Sequence, residues 1–182
     1  SLSAGVNNLD GSWSLTPTEA LGLNLVLANH DDTNFTLTIV ATNTETDPET
    51  NAIETTTQSV TVEVLVDAVA DEVTLTTVDT SGTENTAIDL DISTALIDTD
   101  GSEVISDIVV SDLPVGSVLS AGVQNLDGSW TLSIADLTDL TFTPPIGVTG
   151  DIDLTVTVTT TDTDTETSTI STQVTTDTLT VS

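Results

Sequence analysis

Lysine and arginine are missing from all 182 residues, against 30 aspartates and glutamates and a single histidine. A net charge of -30 cannot be answered by internal salt bridges, because no basic partner exists. Nucleic acid and anionic membranes are excluded as partners on the same ground, since nothing cationic is there to meet a phosphate. Cysteine is absent too, which excludes a disulfide framework and thiolate chemistry. Aromatics are scarce, with two Trp, two Phe and no Tyr, a poor endowment for gripping a ligand by stacking. No run of 18 apolar residues is present to span a membrane as a helix, and no basic leader opens the chain.

What is present is a chain rich in Val, Ile, Leu and Thr, with a mean hydropathy of +0.18. Disordered acidic chains lack such β-branched residues. The composition therefore predicts a buried core, with the charge left to salt, to divalent cations or to a long surface.

Self-comparison organises the chain. Residues 2–13, LSAGVNNLDGSW, recur at 119–130 as LSAGVQNLDGSW, an offset of 117 residues that continues without gaps to Thr50 and Thr167. FTLTIVATNTETDPET (35–50) then faces IDLTVTVTTTDTDTET (152–167). That spacing is too long for a solenoid and suits a β-sandwich. The expected division is a first module over 1–66, a short linker over 67–72 (within VDAVADE) and a complete second module over 73–182. The first copy has no counterpart of residues 73–117, so it is expected to be incomplete at its N-terminus and to belong to a longer protein, or to be completed by a neighbouring molecule.

Period-2 alternation runs through the second copy. Expected strands are 73–78 (A), 87–92 (B), 104–110 (C), 117–122 (D), 129–133 with 140–143 (E), 152–159 (F) and 168–181 (G). Turn signals at DTSG, DTDG, LPVG, NLDG and PPIG separate them, and ADLTDL at 135–140 is compatible with one helical turn. The expected fold is all-β: tandem immunoglobulin-like or cadherin-like β-sandwiches with Greek-key connections. Trp13 and Trp130 share a repeat position and read as plugs between sheets rather than ligand platforms.

Carboxylates are the only chemistry at hand. Asp98, Asp100 and Glu103 crowd into six residues around Gly101. Calcium takes six to eight oxygens, roughly, and D-x-D-G spacing aims alternate side chains at one point. The twelve-residue helix–loop–helix calcium pattern is absent. In a β-sandwich the B–C and F–G loops share one end. That brings Asp162 and Asp164 toward Asp98, with Asp67 and Asp71 entering beside them at the start of strand A. The expected calcium ligands are thus Asp98, Asp100, Glu103, Asp162, Asp164, Asp67 and Asp71. The competing reading is a set of solvated acidic loops. Glu84, in the A–B turn, either binds a cation at the far end or faces water. An enzyme is not expected: His30 has no counterpart in the second copy, and acids at loop tips seldom line a cleft.

The strings ALIDTDGSE, LPVGSVLSAGVQNLDGSWTL and DIDLTVTVTTTDTDTE resemble the tandem immunoglobulin-like repeats of giant repeats-in-toxin (RTX) adhesins of Gram-negative bacteria. TEN (83–85), DTD (98–100) and TTD (160–162) are similar to the P-E-N, D-x-D and A-x-D motifs of cadherin repeats, whereas VDAVADE lacks the asparagines of the cadherin linker. The resemblance implies calcium between neighbouring modules of one chain. It implies an extracellular, cell-surface fibre that projects a distal binding region for adhesion and biofilm formation. The glycine-rich nonapeptide of such proteins is absent, which implies an extender segment. The alternative is a ligand-binding adhesive module of the same kind of protein.

Overall fold

Alternation of β-branched and small polar residues gives the backbone little choice but strands, and in the computed structural model the chain is all-β. Residues 1–99, 101–164 and 166–182 are described. They divide into two compact units, Ser1–Val66 and Asp67–Ser182.

The first unit holds two antiparallel hairpins. β1 (Val6–Asn7) pairs with β2 (Trp13–Ser14). β3 (Phe35–Thr46) pairs with β4 (Ile53–Val64) over their full length, from Phe35 opposite Val64 to Thr46 opposite Ile53. The apolar residues Phe35, Leu37 and Ile39 of β3 face Val64, Val62 and Val60 of β4 across the pair. None of these is buried, and neither is any other described residue of this unit.

The second unit is a β-sandwich. β5 (Val73–Val78) pairs with β7 (Asp91–Leu96), while β6 (Ile88–Asp89) pairs with β12 (Thr141–Thr143), which also pairs with β9 (Val118–Leu119). β6 and β7 are one strand bent at Leu90, whose buried position and N–H to the Leu140 carbonyl (2.9 Å) hold the bend. The facing sheet has five strands in the order β10 (Val123–Gln124), β11 (Trp130–Leu132), β8 (Glu103–Ser111), β13 (Ile152–Thr163) and β14 (Ile170–Val181). Ile88, Leu90, Ile92, Leu119 and Phe142 from the first layer meet Ile108, Val110, Leu132, Leu154, Val156, Val158 and Leu179 from the second in one apolar core. Past β5 the chain crosses layers: Thr80 bridges Val181 in parallel, donating to the Thr180 carbonyl and accepting from Ser182 N–H, each at 3.0 Å.

One expected strand is corrected. Residues 129–133 were expected to extend strand E with 140–143. Instead β11 pairs with β8 in the opposite layer, Leu132 standing across from Ile108. The reason is local. The Asn125–Ser129 turn folds β10 back on β11, with Asn125 N–H donating to Ser129 O at 2.8 Å. The 3₁₀ turn Ile134–Leu137 then carries the chain across to the other layer. The Ser133 hydroxyl and N–H both reach the Asp136 carboxylate, at 2.6 and 2.8 Å, and start that turn. Trp130 packs partly buried against the core, as a plug does.

Candidate metal centre

The inward-facing row of β13 reads Leu154, Val156, Val158, Thr160, Asp162, and continues past the strand to Asp164; all six are buried. A single strand thus begins in the core and ends in two buried acids. Burying a carboxylate is costly unless it gains hydrogen bonds or a counter-charge, so the polar half of this row asks for partners.

Its neighbours are acids as well. Glu103, the first residue of β8, is the register partner of Asp162 on β13 and is itself buried. Asp98, just beyond β7, is 3% exposed. Gly101, between them, has a φ of +112°, a left-handed conformation that glycine adopts without steric penalty and that lets the chain turn back from β7 into β8. The segment entering β5 is fastened onto the same end. Asp71 N–H donates to the Glu103 carboxylate at 2.6 Å, the Thr160 hydroxyl donates to the Asp71 carbonyl at 2.7 Å, and Ala70 N–H donates to the Ser171 hydroxyl at 3.0 Å.

Glu103 records the crowding. Burial pushes its carboxyl group above the usual range. The charges of Asp71, Asp98 and Asp162 push the same way, against the hydrogen bond from Asp71 N–H. Asp164 moves in the opposite direction, held low chiefly by hydrogen bonding from Thr167 and then from Glu166 N–H. The backbone N–H groups of Glu166 and Thr167 reach one Asp164 oxygen at 2.8 and 2.9 Å.

Among the described residues, three carboxylate oxygens remain shielded from solvent without a hydrogen-bond donor: Glu103 Oε2, Asp162 Oδ1 and Asp164 Oδ2. A buried acceptor left in that state costs about 1–3 kcal/mol, and more when charged. No lysine or arginine exists anywhere in the chain to supply the donor. Hard, anionic oxygens gathered from several segments are the donor set that calcium takes and that softer metals do not prefer. The residues therefore fit the ion.

Of the expected ligands, Asp71, Asp98, Glu103 and Asp162 are brought together. Asp164 lies next along the same inward row as Asp162. Asp67 is exposed and is not among the charges acting on Glu103. Asp100 lies outside the described residues. Sequence reasoning missed Thr160 and Ser171, the hydroxyls that fasten the entering segment. The signal for Thr160 was available, because it continues the inward row of β13 at the step where apolar residues give way to acids. Glu84 does not simply face water: its carboxylate accepts Gly147 N–H across the far end of the sandwich.

Comparisons with protein-family models, with curated proteins and with solved structures find nothing that matches this chain.

Proposed function

We propose that the chain is a calcium-stabilised structural extender of a bacterial cell-surface adhesin of the RTX type, not an enzyme, working outside the cell to hold a distal binding region away from it. The observation that carries this reading is the set of buried carboxylate oxygens lacking donors among the described residues, on Glu103, Asp162 and Asp164, in a chain without lysine or arginine. Asp98 and Asp71 complete the group that would hold the ion.

The ion would act on the entering segment. Ala70 and Asp71 are tied to β8, β13 and β14 through Glu103, Thr160 and Ser171. Neutralising the acids around those ties keeps the segment down on the sandwich and stiffens a fibre made of such repeats. The scarcity of exposed aromatics favours a spacer over a ligand-gripping module. Extracellular calcium modules bind at roughly 10⁻⁴–10⁻³ M, and an ion at about ten times its dissociation constant stabilises the folded form by roughly 1.4 kcal/mol per site.

Calorimetric melting of the second unit, followed against calcium at constant ionic strength, tests the reading. A saturable rise in Tm, abolished in Asp162→Asn and retained in the exposed-loop variant Asp151→Asn, is expected. Small-angle scattering should show a longer particle in calcium than in EDTA. A Tm that responds equally in both variants, or to magnesium as much as to calcium, defeats it.

A further inference from the structure

The two copies of the repeat agree unevenly. Over residues 2–13 and 119–130 they differ at one position, Asn7 against Gln124. Over 14–34 and 131–151 only Leu15 with Leu132 and Leu23 with Leu140 agree. The fold accounts for most of the matched stretch. A Cβ on Gly5 or Gly122 would collide with Leu15 or Leu132. Asn8 Nδ2 donates to the Ser12 and Ser14 hydroxyls as Asn125 Nδ2 donates to those of Ser129 and Thr131. The Asp10 carboxylate accepts Ser12 N–H as Asp127 accepts Ser129 N–H. Asn24 N–H reaches the Ser3 hydroxyl as Thr141 N–H reaches that of Ser120.

Two matched side chains have no such duty. In the second unit Val123, on the edge strand β10, is 69% exposed, and Leu126, at the apex of the Asn125–Ser129 turn, is fully exposed. Both layers of the sandwich are present in this unit, so the exposure does not come from a missing strand. Val6 and Leu9 repeat it, at 65% and 92%. Leu9 does so at a φ of +64°, a left-handed conformation that strains a leucine and that asparagine or glycine takes more readily. A polar residue would serve such a turn better. A leucine held in water at the same point of two otherwise diverged copies therefore points to a contact outside the fold. The turn lies at the Val110 end of β8, away from Glu103, so the inference is independent of whether the buried acids take calcium.

We propose that the apical leucine, Leu126 with Val123 on the adjoining strand, is a docking knob presented once per repeat, and that its occupant is a basic polypeptide. An apolar pocket of that partner receives the leucine, and lysine or arginine around the pocket meets the acid beside it. Charge decides the occupant. Asp127 follows Leu126 and Asp10 follows Leu9, and both acids are exposed. The chain carries -30 with no lysine or arginine to offset them. A second copy would bring the same acids and be repelled, whereas a cationic partner is attracted and steered onto the apex. The leucine supplies the part of the affinity that salt does not screen.

The test titrates the full chain with a synthetic peptide of alternating leucine and lysine at about 0.15 M salt, read by calorimetry and by amide chemical shifts. Shift changes are expected at residues 6–12 and 123–129. The double variant Leu9→Asn, Leu126→Asn should bind the peptide about 10-fold more weakly, the loss of roughly one buried leucine at each site. Val115→Asn removes another fully exposed apolar side chain, from a turn without a counterpart in the first copy, and should bind as the unaltered chain does. An oligolysine of the same charge should bind all three chains alike. The melting temperature of the double variant should stay within about 2 °C of the unaltered chain. Equal peptide affinity in the double variant and the unaltered chain overturns the proposal, because charge alone would then hold the peptide. A clearly lower melting temperature in the variant also overturns it, since the leucines would then serve the fold. So does self-association of the unaltered chain that the double variant loses, since the occupant would then be a second copy.

Discussion

The same strand appears twice in this molecule with opposite fates. In β13 the row Leu154, Val156, Val158 is wholly buried; in β3 the equivalent row Leu37, Ile39, Ala41 is partly or fully exposed. Sequence at these positions is nearly matched, hairpin register is identical and the local turns repeat. The difference lies only in what covers them. Alternation makes a strand and turn chemistry makes a hairpin, but a core needs a second layer. The comparison separates those contributions within one chain, and it also separates the acids. Asp162 and Asp164 are buried, whereas Glu45 and Asp47, at the same repeat positions, are exposed. Only in the second unit is the acidic end of the row shielded from solvent.

The sharpest way to break the comparison is to remove one core side chain from each row. Leu154→Ala deletes a fully buried side chain and should cost about 2–5 kcal/mol in the denaturant unfolding of the second unit. Leu37→Ala, at the equivalent place in the first unit, should cost under about 1 kcal/mol, because no cavity forms where no second layer packs. Equal costs would mean that the first unit has a core of its own.

A smaller effect is expected at the tight turn entering the short hairpins. Gly122 has a φ of +88°, and a Cβ there would lie 2.3 Å from Leu132 Cδ2 and 2.7 Å from the Thr131 carbonyl oxygen. Gly5 repeats the arrangement, with Leu15 Cδ2 at 2.5 Å and the Ser14 carbonyl at 2.8 Å. The left-handed backbone alone costs an alanine about 1–2 kcal/mol. Leu132 is locked in the core while Leu15 is 36% exposed and free to move aside. Gly122→Ala should therefore destabilise its unit by about 2–3 kcal/mol, the strain plus a displaced core leucine. Gly5→Ala should show the backbone part alone. Chemical-shift changes confined to residues 3–16 in Gly5→Ala, against changes spread through the core in Gly122→Ala, would check it.

Most of this was legible in the residues. The repeat, the all-β class, six of the strands in the second copy and the meeting of Asp71, Asp98, Glu103 and Asp162 follow from period-2 alternation and from which loops share an end of a sandwich. The layer exchange of β11 was not, because a run such as Trp130–Leu132 alternates equally well in either sheet. Its place is decided by the turn at 125–129, which sends it back along β8. Nor could alternation reveal that Thr160 and Ser171 fasten the entering segment, since threonine or serine recurs in every long strand of this chain. Burial marks out Thr160, which is 1% exposed and whose hydroxyl reaches a backbone carbonyl of the segment it holds; Ser171 is half-buried like many of its neighbours and is told apart only by its bond from Ala70 N–H.

The smallest expected effect is the most informative about the acids, because its sign depends on calcium. The Glu103 carboxyl is held above its usual range, so its folded form prefers the proton. In calcium-free protein its contribution to stability is fully present below the unfolded carboxylate range and is lost as pH rises through the folded value. Glu103→Gln keeps an oxygen for Asp71 N–H but removes the charge. Near pH 7 without calcium the variant should be the more stable by about 1 kcal/mol, roughly 4 °C in Tm, and the gap should close as pH falls through the carboxylate range. On the proposed reading the order should reverse with calcium saturating, because the variant would lack a charged ligand. The exposed acids Asp10 and Asp127 are held low chiefly by side-chain hydrogen bonds from Ser12 and Ser129. They contribute the opposite slope, stability lost as pH falls, and they do so alike with and without calcium. The difference between wild type and Glu103→Gln cancels them. A variant less stable than wild type at neutral pH in both conditions would show that Glu103 serves the fold through its hydrogen bond alone, and that its charge is answered by something other than an ion.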